Sequence, residues 1–209
     1  YGHQSYMLDA AEDYPDVTFV SCTGDMAATS GLDNYKNLFP YTYESRYVSG
    51  VVAGMKLKEL MDAGTVTDPK VGYVGAYPYA EVISGFTSFF LGVRSVCPSA
   101  TMDVTYTNSW ASFDLEKEAA EALIAGGCVL ISQHADTTGA PTACEAAGVP
   151  VVGYNISMIA TAPNWALTSA SINWGPYYTY AVKSIIDGTE IAVDWCHGYA
   201  AVSYTHLTL

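Results

Sequence analysis

Thr101–Trp110, TMDVTYTNSW, reads as a strand that ends in a small polar loop carrying one large aromatic side chain. Met102, Val104 and Tyr106 alternate with Asp103, Thr105 and Thr107, a period of two that places one set on each face of a sheet. Asn108 and Ser109 break the strand, because their side chains compete for backbone hydrogen bonds. Trp110 follows on the loop. In an α/β sheet, ligands bind at the carboxyl ends of the strands. An indole presented there is either a cap on the core or a platform for a flat ligand.

The neighbouring segments make the sheet parallel. Upstream, Lys70–Ala76 (KVGYVGA) is a buried strand with Tyr77, Pro78 and Tyr79 at its end. The helix predicted over Glu81–Val96 turns Val82, Phe86, Phe89, Phe90 and Val93 inward, and Pro98 closes it. Downstream, Asp114 is expected to cap a helix over Leu115–Ala125, with Lys117 pairing Glu121 one turn on. Gly126 and Gly127 stop it. Val129–Ser132 is a strand ending in Gln133, His134, Ala135 and Asp136. Thr137–Ala147 is a small-residue helix with Pro141 in its first turn and Gly148 as its cap. Val149–Gly153 is a strand ending in Tyr154 and Asn155, and Ala166–Ile172 is the last of the series. Gly175 and Pro176 restart the chain as a helix to Asp187. From Lys70 the order is β-α-β-α-β-α-β-β-α, which means a parallel sheet with right-handed crossovers.

The amino-terminal part is an α-β-α piece. Ser5–Asp13 reads as a helix, Val17–Cys22 as a short strand and Thr23–Gly31 as a strand-end loop. A second helix is predicted over about 41–63, with an apolar stripe of Tyr47, Val48, Val51, Val52 and Met55. Gly50 and Gly54 lie on another face, where a neighbouring backbone could come close. Gly64–Pro69 is a polar turn and the best place for a crossing between lobes.

Composition narrows the function. Half of the 209 residues are hydrophobic and 14% are charged, enough apolar material for a proper core. No apolar run approaches the ~20 residues of a membrane span. With 8 Lys+Arg and a net charge of -13, binding to nucleic acid through phosphate neutralisation is disfavoured. The five cysteines, Cys22, Cys97, Cys128, Cys144 and Cys196, are scattered without a CxxC, and no His stands at metal-ligand spacing. They read as buried or half-buried thiols, with one disulfide open to form in an oxidising compartment. There is no GxGxxG after a strand, no P-loop and no internal repeat.

A parallel sheet gathers the ends of its strands on one edge. Those ends offer Tyr77, Tyr79, Asn108, Trp110, His134, Asp136, Tyr154 and Asn155, a set of aromatics and neutral hydrogen-bonding groups. It suits a flat polar heterocycle or a sugar better than an anion or a metal. His134 and Asp136 are two apart, on the same side of an extended segment, so a hydrolytic pair is one reading. No GxSxG elbow and no second acid accompany them.

Several stretches in order resemble one family. VGYVGAYPYAEVISGFTSFFLGVRSVCP, TNSWASFDLEKEAAEALIAGG, SQHAD and LTSASINWGPYY, with DYPDVTFVSCTG and YESRYVSGVVAGMK upstream, are similar to the basic membrane protein (BMP) family. Its members are substrate-binding lipoproteins of ABC importers, which bind purine bases or nucleosides. The resemblance spans about residues 1–190. It implies an α/β fold of the periplasmic-binding-protein type I, two lobes with parallel sheets flanked by helices that close on a ligand by hinge motion.

On that resemblance, residues 1–64 form a truncated amino-terminal lobe, completed by about 173–190, and residues 65–172 form the second lobe. The crossings would be Gly64–Pro69 and the region of Ala160–Ala166. The family's first strands and helices, its signal, its lipidated cysteine and its last strands would lie outside this stretch. Residues 202–209 read as a non-native tail.

Trp110 matches the family aromatic that stacks on the purine, and the partner aromatic would come from outside this stretch. Asn108, His134, Asp136, Asn155, Tyr77 and Tyr154 would line the ligand site. Asn155 falls where nucleoside binders carry an Asp for the ribose hydroxyls, and Ile172 about where they carry a Lys. With the QHxD motif, this looks more like the branch that binds a free base such as adenine. Glu44, Arg46 and Tyr47 match a helix motif read as packing.

The function implied is purine capture for an ABC permease, outside the cytoplasm, with the membrane reached only through a lipid anchor. No enzyme activity, cofactor, metal or nucleic acid is implied. The alternatives are a ligand-sensing domain of the same fold, in signalling or a regulator, and a nucleosidase-type hydrolase using His134 and Asp136.

Overall fold

The computed structural model describes residues 2–201, so the tail at 202–209 lies outside the described residues. The chain divides into two compact units, one of residues up to Tyr41 together with those from Ile172, the other of Thr42–Ser171. The crossings therefore fall at Tyr41–Thr42 and Ser171–Ile172, not at Gly64–Pro69 and Ala160–Ala166. The reason is a helix that packs with the second unit.

The first unit contains α1 (Gln4–Asp13), β1 (Phe19–Cys22), α2 (Ala27–Ser30) and β2 (Tyr35–Leu38). The second unit then runs α3 (Thr42–Asp62), β3 (Lys70–Gly75), α4 (Ala80–Val96), β4 (Thr101–Tyr106), α5 (Phe113–Ala125), β5 (Leu130–His134), α6 (Gly139–Ala147), β6 (Val151–Tyr154) and β7 (Ala166–Ala170). The chain returns to the first unit with α7 (Gly175–Asp187) and β8 (Asp194–Trp195). The sheet of the first unit is parallel in the order β1-β2-β8, and that of the second is parallel in the order β4-β3-β5-β6-β7.

In the second unit alternation along the central strands fills both faces of the sheet. Val71, Tyr73, Leu130 and Val152 pack under α3 and α4 with Ala53, Leu57, Phe89 and Val93. Val74, Ile131 and Val151 pack on the other face with Ala120, Leu123, Ala140 and Ala143 of α5 and α6. A sheet covered on both faces by helices is what a run of βα units requires.

The expected stripe of α3 is not its buried face. Tyr47 and Met55 are 41% and 60% exposed, whereas Ser45, Arg46, Ser49, Gly50, Ala53, Gly54 and Leu57 are buried. The glycines decide this. A Cβ on Gly50 would sit 2.0 Å from the carbonyl oxygen of Phe89, and one on Gly54 2.6 Å from that of Val93. Reciprocally, a Cβ on Gly92 of α4 would sit 2.1 Å from the carbonyl oxygen of Tyr47. The two helix backbones touch, and close backbone packing outweighs the larger side chains on the other face.

Three further differences are local. Thr23–Gly31 holds the short helix α2, and Tyr35–Leu38 is a strand. The helix after Trp110 begins at Phe113 with Ser112 in the capping position, two residues ahead of Asp114. The expected Lys117–Glu121 pair forms at 3.0 Å. Cys97, Cys128 and Cys144 are buried and Cys196 is half-buried, as the thiol reading expects, whereas Cys22, at the end of β1, is exposed and departs from it.

Candidate functional site

The carboxyl ends of β3, β4, β5 and β6 form one edge of the second unit's sheet. After β4, Thr107 keeps the ladder for one more step, its N–H donating to the Gly75 carbonyl at 2.9 Å. Its hydroxyl then donates to the Ser109 carbonyl at 2.8 Å, closing a tight turn. Asn108 sits in that turn at φ 54°, a left-handed conformation that Asn tolerates better than most residues. The chain then presents Trp110, whose carbonyl accepts the Asp136 N–H at 2.7 Å. The indole loop is thus tied to the end of β5.

Aromatic rings surround the indole. Tyr77 and Tyr79, after β3, stack on each other with centroids 5.0 Å apart and lie 5.9 Å and 6.4 Å from Trp110. Beside them Asn155, at φ 63°, donates its side-chain amide to Asp136 Oδ1 at 2.7 Å. Asp136 is held above the ordinary carboxylate range by partial desolvation and then by Glu81, against the pull of the Asn155 amide. The edge therefore offers a half-buried aromatic wall next to an amide–carboxylate pair. A planar ring with donors and acceptors on its rim fits such a surface.

All seven expected residues come to this edge, at two depths. Asn108, Trp110, Asp136, Asn155 and Tyr77 are exposed or half-exposed, while His134 and Tyr154 are buried at 0% and 6%. The two buried rings lie beneath the surface, with centroids 4.6 Å apart. His134 is not paired with Asp136. Its Nδ1 lies 3.3 Å from the Tyr73 hydroxyl and its Nε2 3.7 Å from Glu81 Oε1, too long for a hydrogen bond.

Three residues beneath the edge were not marked as site residues. Arg46, read as packing, is fully buried and donates from Nη1 to the Gln133 carbonyl at 2.9 Å. Its guanidinium lies 4.1 Å from the centroid of Tyr154. Glu81 is buried beside His134, and the Gln133 side chain holds the loop after β5 by donating to the carbonyls of Ala135 and Thr137 at 3.0 and 2.9 Å. The one signal for Arg46 was a cation on the Ser45–Ser49–Gly50 side of a helix, the side that small residues leave open.

Burial, and then the Arg46 cation, pull the His134 imidazole down to about 4, with Glu81 opposing. The unfolded chain takes up a proton near 6.5, while the folded protein stays neutral until about 4. Stability is therefore full above pH 6.5 and falls as the pH drops through that window. At pH 5 the loss from this group is about 2 kcal/mol relative to pH 7. Denaturant titrations at the two pH values check this: His134→Gln should abolish most of the extra acid loss, and an unchanged loss would mean that His134 does not cause it.

Residues 1–199 match the model of the Bmp family, described as ABC transporter substrate-binding protein PnrA-like. Over 189 residues the chain is 36% identical to purine-binding protein BAB2_0673 of Brucella abortus (strain 2308), covering 90% of this chain and 50% of that protein. It is 34% identical over 189 residues to the putative ABC transporter glucose-binding protein TsgA13 of Haloferax volcanii, covering 90% and 45%. The chain thus spans about half the length of the curated relatives it matches. Among solved structures, a solute-binding protein from Aeropyrum pernix K1 superposes with TM-score 0.83 at 16% identity, covering 97% of this chain and 57% of that one. One from Conexibacter woesei DSM 14684 superposes with TM-score 0.69 at 23% identity, covering 97% and 64%.

Proposed function

The chain belongs to the Bmp family of PnrA-like ABC transporter substrate-binding proteins, and on that premise we propose that it captures a purine base or nucleoside for an ABC permease outside the cytoplasm. Its α/β fold is that of type I periplasmic binding proteins. The observation that carries the reading is the wall of Trp110, Tyr77 and Tyr79 beside the Asp136–Asn155 pair. A purine gives the wall a ring face to stack on. Its amino and ring-nitrogen rim offers a donor to Asp136 and an acceptor to Asn155, the pairing an amide makes with adenine elsewhere. The relative named as purine-binding supports the same class.

With Asp136 and Asn155 engaged by the rim of the base, little on this edge is left to hold ribose hydroxyls, which favours a free base. The second reading is a sugar, because aromatic walls also stack on sugar faces and one relative is named as glucose-binding. The hydrolase reading has less support, since the His134 ring is buried against Tyr73 and Glu81 and Asp136 is engaged with Asn155.

Calorimetry on the full-length protein with adenine, adenosine, guanosine, inosine and glucose separates these readings. The expected order is adenine tightest, nucleosides weaker and glucose undetectable. Glucose binding alone would replace the purine reading with the sugar one.

A further inference from the structure

The fully buried Arg46 needs an account, because taking a guanidinium out of water is expensive unless its surroundings compensate. Its Nη1 meets the Gln133 carbonyl at 2.9 Å, and its Cζ lies over the Tyr154 ring 4.1 Å from the centroid and 5.9 Å from that of Tyr73. Nε and Nη2 have no hydrogen-bond partner among the described residues. This is less than a buried cation would take if stability alone had shaped the site.

What Arg46 touches leads by two routes to the indole. The first runs through rings: Tyr154 lies 4.6 Å from His134, and His134 lies 6.4 Å from Trp110. The second runs through backbone: Gln133 belongs to β5, whose continuation at Asp136 donates its N–H to the Trp110 carbonyl. Both begin on α3 and end at Trp110, the first at its ring and the second at its backbone carbonyl.

We propose that Arg46 is a positioning residue of the ligand surface, clamping the end of β5 and the ring of Tyr154 so that Trp110 is held at a fixed angle. Arginine suits this task and lysine does not. A planar guanidinium stacks on a ring and bonds a carbonyl in the same plane, whereas an ammonium is a point charge that does one or the other. The absence of a Cβ at Gly85 gives the clamp its room, since a Cβ there would meet His134 Nδ1 at 2.7 Å. The charged and titratable groups facing His134 are Arg46 from α3, Glu81 from α4, Tyr73 from β3 and Tyr154 from β6, with Asp136 on the loop beyond it.

The proposal rests on the purine reading only for its effect on affinity, so the test has an arm free of ligand. Arg46→Lys and Arg46→Met are made in the full-length protein carrying fluorine-labelled tryptophan, with Trp110 assigned by Trp110→Phe. In Arg46→Lys the charge remains, so His134 should titrate within about half a pH unit of wild type. The Trp110 resonance should nevertheless shift or broaden, and adenine affinity should fall about tenfold. In Arg46→Met the cation is gone, and His134 should also protonate at a higher pH than wild type. A Trp110 resonance unchanged in the lysine variant overturns the proposal, whatever the affinity. Wild-type protein that binds no purine, with the resonance shifted in the variants, overturns the purine reading and leaves the clamp standing. If Arg46→Met does not fold, the lysine variant decides alone.

Discussion

Trp110→Ala is expected to weaken adenine binding about a hundredfold, roughly 3 kcal/mol, while leaving the fold intact. A stacked ring pair contributes roughly 0.5–1.5 kcal/mol beyond the area it covers. Covering the ring face with some tens of Å² of indole adds about 1.5–2 kcal/mol. The fold survives because Trp110 is only half-buried and its loop is held by backbone and Thr107 contacts, not by the indole. Calorimetry measures the affinity and thermal unfolding the fold. Trp110→Phe should recover part of the loss, since it restores a flat ring of smaller area. Binding by the alanine variant within threefold of wild type would show that the indole is a cap on the core.

Gly50→Ala is expected to destabilise the protein by about 3 kcal/mol, lowering its melting temperature by roughly 6–12 °C. Alanine favours a helix interior over glycine by about 1 kcal/mol, so the sign must be argued. The added Cβ would lie 2.0 Å from the Phe89 carbonyl oxygen and 2.8 Å from its carbon. Both are backbone atoms, so no side chain can turn aside, and α3 must move away from α4. That separation loses contacts along the whole helix pair, which outweighs the propensity gain. Gly92→Ala should act alike, because its Cβ would meet the Tyr47 carbonyl at 2.1 Å. Both variants are relieved by the same movement, so the double variant should cost less than the sum of the two. Thermal melts of the three proteins check this, and additive losses would show that the clashes are relieved independently.

Much of the second unit was legible because its signals are local. A continuous buried run, Lys70–Gly75, and a period-two run, Thr101–Tyr106, declare strands, and glycine or proline marks the ends of the helices between them. What escaped was structure without a local signal. Tyr35–Leu38, YKNL, has Lys and Asn at its centre and lacks β-branched residues, yet it is buried along its whole length between β1 and β8. Only its neighbours make it a strand. Asp194–Trp195 is too short for any pattern.

The same division runs through the candidate site. The residue types and order of the chain determined that this is a parallel α/β protein. They also determined that Tyr77, Trp110, Asp136 and Asn155 share an edge, because parallel strands joined by right-handed crossovers have no other way to end. The depth of each residue was decided by tertiary structure. His134 and Tyr154 are the last residues of their strands and are walled in by neighbouring strands and by α3, whereas Asp136 and Asn155 lie just beyond and reach the surface. The face of α3 was decided there too. Its β-branched stripe looks like a core in isolation, and it lost to small residues because three glycines let two helix backbones meet. That choice carried Arg46 inward to a carbonyl 87 residues away in the chain. No spacing in the sequence encodes such a contact, since it exists only once α3 has been laid against the sheet.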